Sequence, residues 1–176
     1  MDLHGCRKLY AQMEWADALT WSRVLAHGPT ADDSYVRDSL FHLHYVQRAY
    51  LAGWRGEPVK DLSVDDFPSI HHLRDWGQSY YPDAAAFLES LTNTDLQAPG
   101  GVLWPDLIEE LIGQPPVEAT LGDMVVQVAS HGIHHRAQIN RRIREVGGEP
   151  ALIDYVAWIW LGSPAPDWIS EPRRSS

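Results

Sequence analysis

Some residue types are scarce in this chain, and their scarcity limits what the chain can do. Cysteine occurs once, at Cys6. A single cysteine cannot form an intramolecular disulfide, and it cannot supply the thiolates of a cysteine-rich zinc site. We therefore expect Cys6 to be a small buried side chain and not a nucleophile.

Basic residues are also scarce. The chain has 14 Lys and Arg residues against 24 Asp and Glu residues, which gives a formal net charge of −10. Non-specific binding to DNA or RNA depends on cations that neutralise phosphates, and anionic membrane surfaces attract cations in the same way. We therefore predict neither a nucleic-acid partner nor a membrane partner.

Long apolar stretches are missing as well. No apolar run approaches the roughly 18 residues of a membrane-spanning helix, and the first residues lack the apolar core of a signal peptide. Hydrophobic residues still make up 44% of the chain, which is typical of a globular protein. We expect a cytoplasmic protein with a single domain at residues 1–162, followed by a loose polar tail at residues 163–176.

Apolar residues recur every three or four positions in four segments, which is the spacing of a buried helix face. The predicted long helices cover residues 4–26, 32–54, 68–91 and 120–147, and a short helix covers residues 152–161. No segment reads as a convincing strand. The pattern predicts an all-α fold, a four-helix bundle with a long crossover before the fourth helix and a short C-terminal helix.

Proline and glycine interrupt this pattern in two places. Pro82 lies inside the third predicted helix, so we expect a kink or a break near Tyr81. Between residues 93 and 119 the density of Pro and Gly excludes a long regular helix. A short helix from Trp104 to Ile112 is the regular structure that we expect in this connection.

Histidine, in contrast, is frequent, with nine in the chain. His131 and His135 are four residues apart in the fourth predicted helix, so their side chains lie on one face, one above the other. Two imidazoles placed in this way can bind one transition-metal ion from a single rigid element. The alternative is two histidines with ordinary packing or surface roles.

A third ligand has to come from another helix, because a bundle builds its metal sites from side chains on facing helices. The second helix offers His42 and His44, which are about 200° apart around the helix axis. Both cannot point at the same ion, and the apolar spacing does not decide between them. Three neutral imidazoles leave an open coordination position, which is the pattern of a catalytic site.

Three segments resemble the DinB-like (damage-inducible) family of metal-binding four-helix bundles. HGIHHRAQI at residues 131–139 is similar to the HxxxHRGQ segment of that family. HLHYVQRAYL at residues 42–51 resembles the family's second-helix segment, and GGEPALIDYVAWI at residues 147–159 resembles its C-terminal segment. The family includes thiol-dependent S-transferases and maleylpyruvate isomerases.

The resemblance implies a divalent transition metal, zinc or nickel, bound by His42, His131 and His135. It places His42 at the ligand position, with His44 as the substitute if the alignment is wrong. Gln138 lies three residues after His135 on the ligand face, and it is our candidate for a catalytic hydrogen bond to substrate or water.

The chain also departs from the family pattern. Ala137 replaces the glycine of HRGQ, and Gln127 stands one turn before His131, where many relatives have a further histidine. Gln47 occupies the position of a common second-helix acid, which weakens any role for a carboxylate of that helix in catalysis.

The activity that the resemblance implies is metal-assisted transfer of a low-molecular-weight thiol to a small electrophile, with metal-dependent hydrolysis as the second candidate. The alternative of another class is a non-catalytic bundle that binds a metal or ligand or mediates dimerisation. The expected partners are a small-molecule substrate and a second copy of the chain in a homodimer.

Overall fold

The computed structural model describes residues 1–168, and every structural statement below refers to this part of the chain. It contains eight α-helices and no strand, apart from one isolated bridge between Pro99 and Thr120. The helices are α1 (Leu3–Leu25), α2 (Gly28–Ala31), α3 (Ser34–Trp54), α4 (Ile70–Gln78), α5 (Tyr80–Ser90), α6 (Pro105–Ile112), α7 (Leu121–Glu145) and α8 (Tyr155–Trp160).

The bundle has four members: α1, α3, α7, and the consecutive helices α4 and α5, which together make up the remaining member. Helix α7 packs on both α1 and α3. The predicted all-α four-helix bundle is therefore confirmed. Side-chain contacts give the helix directions. Asp33 at the start of α3 pairs with Arg142 near the end of α7, and Arg7 at the start of α1 bonds to Leu88 near the end of α5. Both helix pairs are therefore antiparallel.

The long connection predicted before the fourth helix is present at residues 91–120. The later part of this connection closes on itself at the start of α7. The amide of Leu121 donates a hydrogen bond to the carbonyl of Ala98 over 2.8 Å. Residues 55–69 run along the bundle instead. The Arg37 guanidinium donates to Phe67 and the Arg55 guanidinium to Asp83, so α3 is parallel to the α4–α5 pair.

The third predicted helix is broken, as expected from its proline. The break is at Ser79, between α4 and α5, two residues before the expected position. Pro82 lies in the first turn of α5, where a backbone amide has no intrahelical acceptor, so its missing N–H costs no hydrogen bond there.

Local capping residues fix the starts of the two helices that carry most of the functional histidines. The Asp33 side chain accepts a hydrogen bond from the amide of Val36 at 3.0 Å and begins α3. Thr120 and Asp123 form a reciprocal capping box that begins α7, as the sequence predicted.

The core between the helices is apolar and tightly filled. Met13, Trp21, Leu43 and Ile139 are almost completely buried, and so is Cys6, as expected. No helix within residues 1–168 combines the length and the apolar character that a membrane crossing requires.

The segment predicted to be a loose tail begins at Ser163, and its described part is anchored at Trp168. The indole of Trp168 packs against both main core clusters and against the ring of Tyr81. Its N–H donates to the Glu14 carboxylate at 3.2 Å. A large aromatic ring gains from burial, which accounts for these contacts. The loose tail at residues 163–176 stays a prediction. Residues 169–176 lie outside the described residues.

Candidate metal centre

Helices α3 and α7 bring three imidazoles together on one side of the bundle. His42 comes from α3, and His131 and His135 come from successive turns of α7. One ring nitrogen from each histidine lies within 4.8 Å of those of the other two. The Nε2 atoms of His131 and His135 are 3.0 Å apart. The structure thus brings together the three residues that the sequence selected as metal ligands.

The donor set and its spacing fit one small divalent ion. Zinc binds imidazole nitrogen at about 2.0–2.1 Å with tetrahedral angles, which places neighbouring ligand nitrogens roughly 3.3 Å apart. The His131–His135 pair is already close to this separation. Three imidazoles are borderline ligands that suit zinc, nickel, copper or iron, so the donors do not select one metal.

The electrostatic environment keeps the three rings neutral. Burial, and then the neighbouring rings of His135 and His42, lower the pKa of His131 to about 4. Burial also lowers the pKa values of His42 and His135. Neutral imidazole is the form that coordinates a metal, so the cluster needs to release few protons to bind an ion near pH 7.

The cluster is accessible from solvent on one side. His42 is exposed, whereas His131 and His135 are half-buried between the helices. Within residues 1–168, these three histidines form the only group of three or more His, Cys, Asp or Glu side chains that lie close enough together to hold one ion. A bound ion would keep at least one coordination position for a small molecule, because three protein ligands do not complete a tetrahedron.

A group of aromatic residues begins nearly one turn beyond His42 on α3. Tyr45 follows His42 by three residues, and its ring stacks with Trp104 at a centroid distance of 6.3 Å. Tyr50 meets the same indole edge-on at 6.5 Å. Tyr45 and His42 lie on neighbouring positions of the α3 surface because of their spacing.

His44, the substitute ligand, faces the opposite way and lies in the core. Its Nε2 accepts a hydrogen bond from the Trp21 indole at 2.9 Å, and its Nδ1 donates to Gln47 Oε1 at 2.8 Å. Both ring nitrogens are therefore occupied by protein partners, and the side chain is fully buried. His44 is not available as a ligand, and this leaves His42 as the residue of α3 that joins the cluster.

The hydrogen bonds continue from Gln47 into a buried ion pair. Gln47 donates to Asp17 Oδ2 at 3.0 Å, and Arg136 donates to Asp17 Oδ1 at 2.6 Å. The Tyr81 hydroxyl also donates to Asp17. Burial alone raises the pKa of Asp17, but Arg136 and the other donors together lower it. Arg136 thus has the structural ion pair that its position suggested, and Gln47 belongs to the core.

Gln138 lies at the rim of the cluster. It is half-buried, and its amide nitrogen is 3.0 Å from Nε2 of the exposed His134. Its hydrogen bond raises the pKa of His135, against the larger effects of burial and of neighbouring histidines. These contacts place it next to the cluster, and its catalytic role stays a prediction.

Three polar residues of α4 lie outside the cluster. His71 and His72 are both exposed, and Asp75 forms an ion pair with the adjacent Arg74 at 2.6 Å. None of them belongs to the group of side chains that could hold an ion.

Comparison with protein families agrees with this geometry. Residues 13–139, well over half of the chain, match the sequence model of the DinB superfamily. The chain belongs to the DinB superfamily. The match includes all three clustered histidines and Gln138, whereas the C-terminal segment at residues 147–159 lies beyond it. Among curated proteins, no sequence matches this member of the superfamily.

Proposed function

We propose that this DinB-superfamily protein binds one divalent transition-metal ion through His42, His131 and His135, and that it transfers a low-molecular-weight thiol to a small electrophile. The observation that carries the proposal is the convergence of three neutral imidazoles from two helices, with one ligand nitrogen from each inside a 4.8 Å limit. Three basic side chains with lowered pKa values have no structural reason to converge at a solvent-accessible edge.

When bound, the ion supplies a positive charge that favours the thiolate form of a nearby thiol at neutral pH. The neutral histidines leave that charge uncompensated. The exposed side of His42 leaves room for a small molecule to approach. We assign to Gln138, at the rim of the cluster, a hydrogen bond from its amide to an oxygen of the electrophile.

The same geometry favours thiol transfer over hydrolysis. A general base within hydrogen-bond reach promotes attack by water, which is a much weaker acid than a thiol. Within the described residues, the cluster contains no carboxylate, and the second-helix acid of many relatives is the buried Gln47 here. A thiol that is already ionised needs no such base. A non-catalytic bundle is supported less, since a structural role would pair each histidine as His44 is paired.

Elemental analysis of protein made without a histidine tag tests the site. We expect about one zinc or nickel ion per chain in the wild type, because three convergent imidazoles form one site. His42→Ala and His135→Ala should lose the ion. The matched control is His134→Ala, which removes an exposed histidine of the same helix beside the cluster and should keep it.

The activity test combines the metal-loaded protein with cysteine or glutathione and a bimane or chlorodinitrobenzene electrophile. We expect thioether formation that depends on the metal and is lost in His42→Ala but not in His134→Ala. Absence of metal in the wild type after reconstitution would contradict the metal centre. If the protein binds its full complement of metal and hydrolyses esters or amides but transfers no thiol, the proposed thiol transfer is contradicted and the metal centre is not.

A further inference from the structure

A cavity that does not include the histidine cluster lies beside α3. It has a volume of about 220 Å³ and is lined by α3, by the segment at residues 57–62, and by Trp76 and Asp83 of the α4–α5 pair. Tyr45 lines it and also stacks on Trp104. Neither the metal centre nor the proposed transfer reaction explains this cavity.

The cavity carries positive charge in a strongly acidic protein. Arg48, Arg55 and Lys60 line it, together with the carboxylates of Glu57 and Asp83. Arg55 is already engaged, since it approaches Asp83 Oδ1 at 4.0 Å and donates to the Asp83 carbonyl at 2.7 Å. The exposed charges of Lys60 and Glu57 balance each other, and Asp83 forms its ion pair with Arg55. Arg48 feels the charge of Asp83 but forms no ion pair of its own within residues 1–168.

Arg48 is held in place by neutral groups. Its Nη2 donates to the Trp76 carbonyl and to the Ser79 hydroxyl, and its guanidinium lies 4.9 Å from the centre of the Trp76 ring. Its Nε is buried without a hydrogen-bond partner. Within residues 1–168 no carboxylate forms an ion pair with it. Burial lowers the pKa of this guanidinium, and the more distant Asp83 carboxylate opposes that effect only in part. A bound anion in direct contact with Arg48 would offset the remaining desolvation cost.

The donors, the walls and the volume of the cavity indicate which kind of anion it would bind. A guanidinium offers a planar set of donors that matches the two oxygens of a carboxylate. Ala49, Ala52, Leu62 and the Trp76 side chain give the cavity apolar walls, which suit a short hydrocarbon or aromatic group. Its volume is below the roughly 300–1,000 Å³ of sites for drug-sized ligands. We propose that this cavity binds a small organic acid, with its carboxylate on Arg48 and its apolar body against Trp76 and Ala52.

Direct binding tests the proposal. Calorimetric titration at constant ionic strength would use benzoate as the probe, with neutral benzamide and inorganic phosphate as comparisons. We expect saturable binding of benzoate at one site, and at least about tenfold weaker binding of benzamide, because benzamide lacks the charge that Arg48 recognises. Equal affinity for benzamide, tighter binding of phosphate, or no saturation by about 20 mM benzoate would overturn the assignment.

Two variants separate the cavity from general electrostatic attraction. Arg48→Gln should weaken benzoate binding by about tenfold or more. Arg37→Gln is the matched control: Arg37 is another half-buried arginine of α3 that donates to backbone carbonyls, of Val64 and Phe67, outside the cavity. Equal weakening by the two substitutions would contradict a specific site.

Ala52→Leu is a second variant, which tests the cavity even if Arg48→Gln fails to fold. It fills the cavity and leaves every charge in place, so benzoate binding should be lost while the melting temperature and metal content stay as in the wild type. Binding that survives this substitution would overturn the proposal. These measurements do not involve the histidine cluster, so their failure would leave the metal proposal standing, and the reverse also holds.

Discussion

The ring of His44 occupies the space that a side chain at position 77 would need. A Cβ atom added to Gly77 would lie 2.5 Å from two atoms of that imidazole. The ring cannot move aside freely, because Trp21 and Gln47 hold both of its nitrogens. Glycine at this position is therefore required by the packing of α4 on α3 and not by backbone conformation.

Gly77→Ala should consequently lower the free energy of unfolding, even though alanine favours the helix. We expect a net loss of about 1–2 kcal/mol, the cost of overpacking less the gain in helix propensity. Urea unfolding measures it. Gly28→Ala is the control, since nothing lies within 4 Å of an added Cβ there, and it should be neutral. Equal effects of the two substitutions would argue against the close packing of His44.

The Asp17–Arg136 pair gives a second prediction at this scale. Both side chains are almost fully buried, with 2% and 1% of their surfaces exposed. Asp17→Asn keeps the shape but leaves the Arg136 charge buried without a partner, so we expect a loss of about 3–5 kcal/mol in unfolding free energy at pH 7.

The control for that experiment is Glu145→Gln, which removes the exposed ion pairs of Glu145 with Arg141 and Arg142 of the same helix. Exposed pairs contribute about 0–1 kcal/mol, so this variant should stay close to the wild type. A loss below about 1 kcal/mol for Asp17→Asn would show that other groups satisfy Arg136.

Among individual residues, the sequence predicted the cluster better than it predicted the core. The shared helix face of His131 and His135 follows from their spacing alone, whereas their role as ligands rested on the resemblance. The choice of His42 over His44 came from the resemblance, because both residues lie beside apolar neighbours on α3. What decides it physically is the partner of each ring, the indole of Trp21 for His44 and the imidazoles of α7 for His42. Such long-range pairing is invisible in periodicity.

At the scale of elements, one ion pair ties α3 to α7 at the end where α3 begins. Asp33 caps α3 through Val36 and accepts two hydrogen bonds from Arg142, of 2.7 and 3.0 Å. The hydrogen bonds from Arg142, ahead of the backbone contribution, lower the pKa of Asp33. The metal-binding face lies between these two helices, so this contact helps to set their relative position.

The lowered pKa of Asp33 determines the direction in which its contribution to the free energy of unfolding changes with pH. Because the folded-state pKa of Asp33 is below its unfolded value near 3.8, its contribution to stability is present above that value and is lost as pH falls through the folded pKa. Asp33→Asn retains a good N-cap and removes the charge. We expect it to cost about 0.5–1 kcal/mol at pH 7 and less near pH 2, because the carboxylate is progressively protonated below pH 3.8.

Denaturant unfolding at both pH values would measure this difference. Asp32→Asn, at the neighbouring exposed position, is the control and should change stability by less than about 0.5 kcal/mol. A penalty for Asp33→Asn that persists undiminished at pH 2 would mean that the lost charge is not its cause.

Helix positions were largely predictable. The three long continuous helices begin and end close to their predicted bounds, because apolar spacing and capping residues act locally. The relative directions of the helices were not predictable from the sequence. Whether α4 runs parallel or antiparallel to α3 depends on which bundle position its apolar face finds, and the connection at residues 55–69 is long enough for either arrangement.

For the whole molecule, metal binding should appear as added stability. A ligand that binds only the folded state stabilises it by about 2.7 kcal/mol at a free concentration of 100 times its dissociation constant. For a chain of this size that corresponds to a rise in melting temperature of roughly 5–10 °C. Zinc or nickel should therefore raise the melting temperature of the wild type, and a chelator should reverse the rise.

His135→Ala separates the site from ion binding to a chain of net charge −10. We expect the metal-induced rise to disappear in this variant and to persist in His134→Ala. An equal rise in all three proteins would indicate diffuse binding to surface carboxylates and would remove the support for a specific centre. Homodimerisation stays a prediction, which sedimentation of the same samples would test.

The paired ends of the connection before α7 have a practical consequence. Backbone bonds of 2.8 Å from Gly100 to Ala119 and from Leu121 to Ala98 close this segment at its base, and none of residues 101–119 is buried. Since the loop is already closed, lengthening it costs only about 0.6 kcal/mol per doubling. A reporter peptide inserted between Gln114 and Pro115 should therefore leave the folded bundle intact, and this position offers a place to label the protein without touching either terminus.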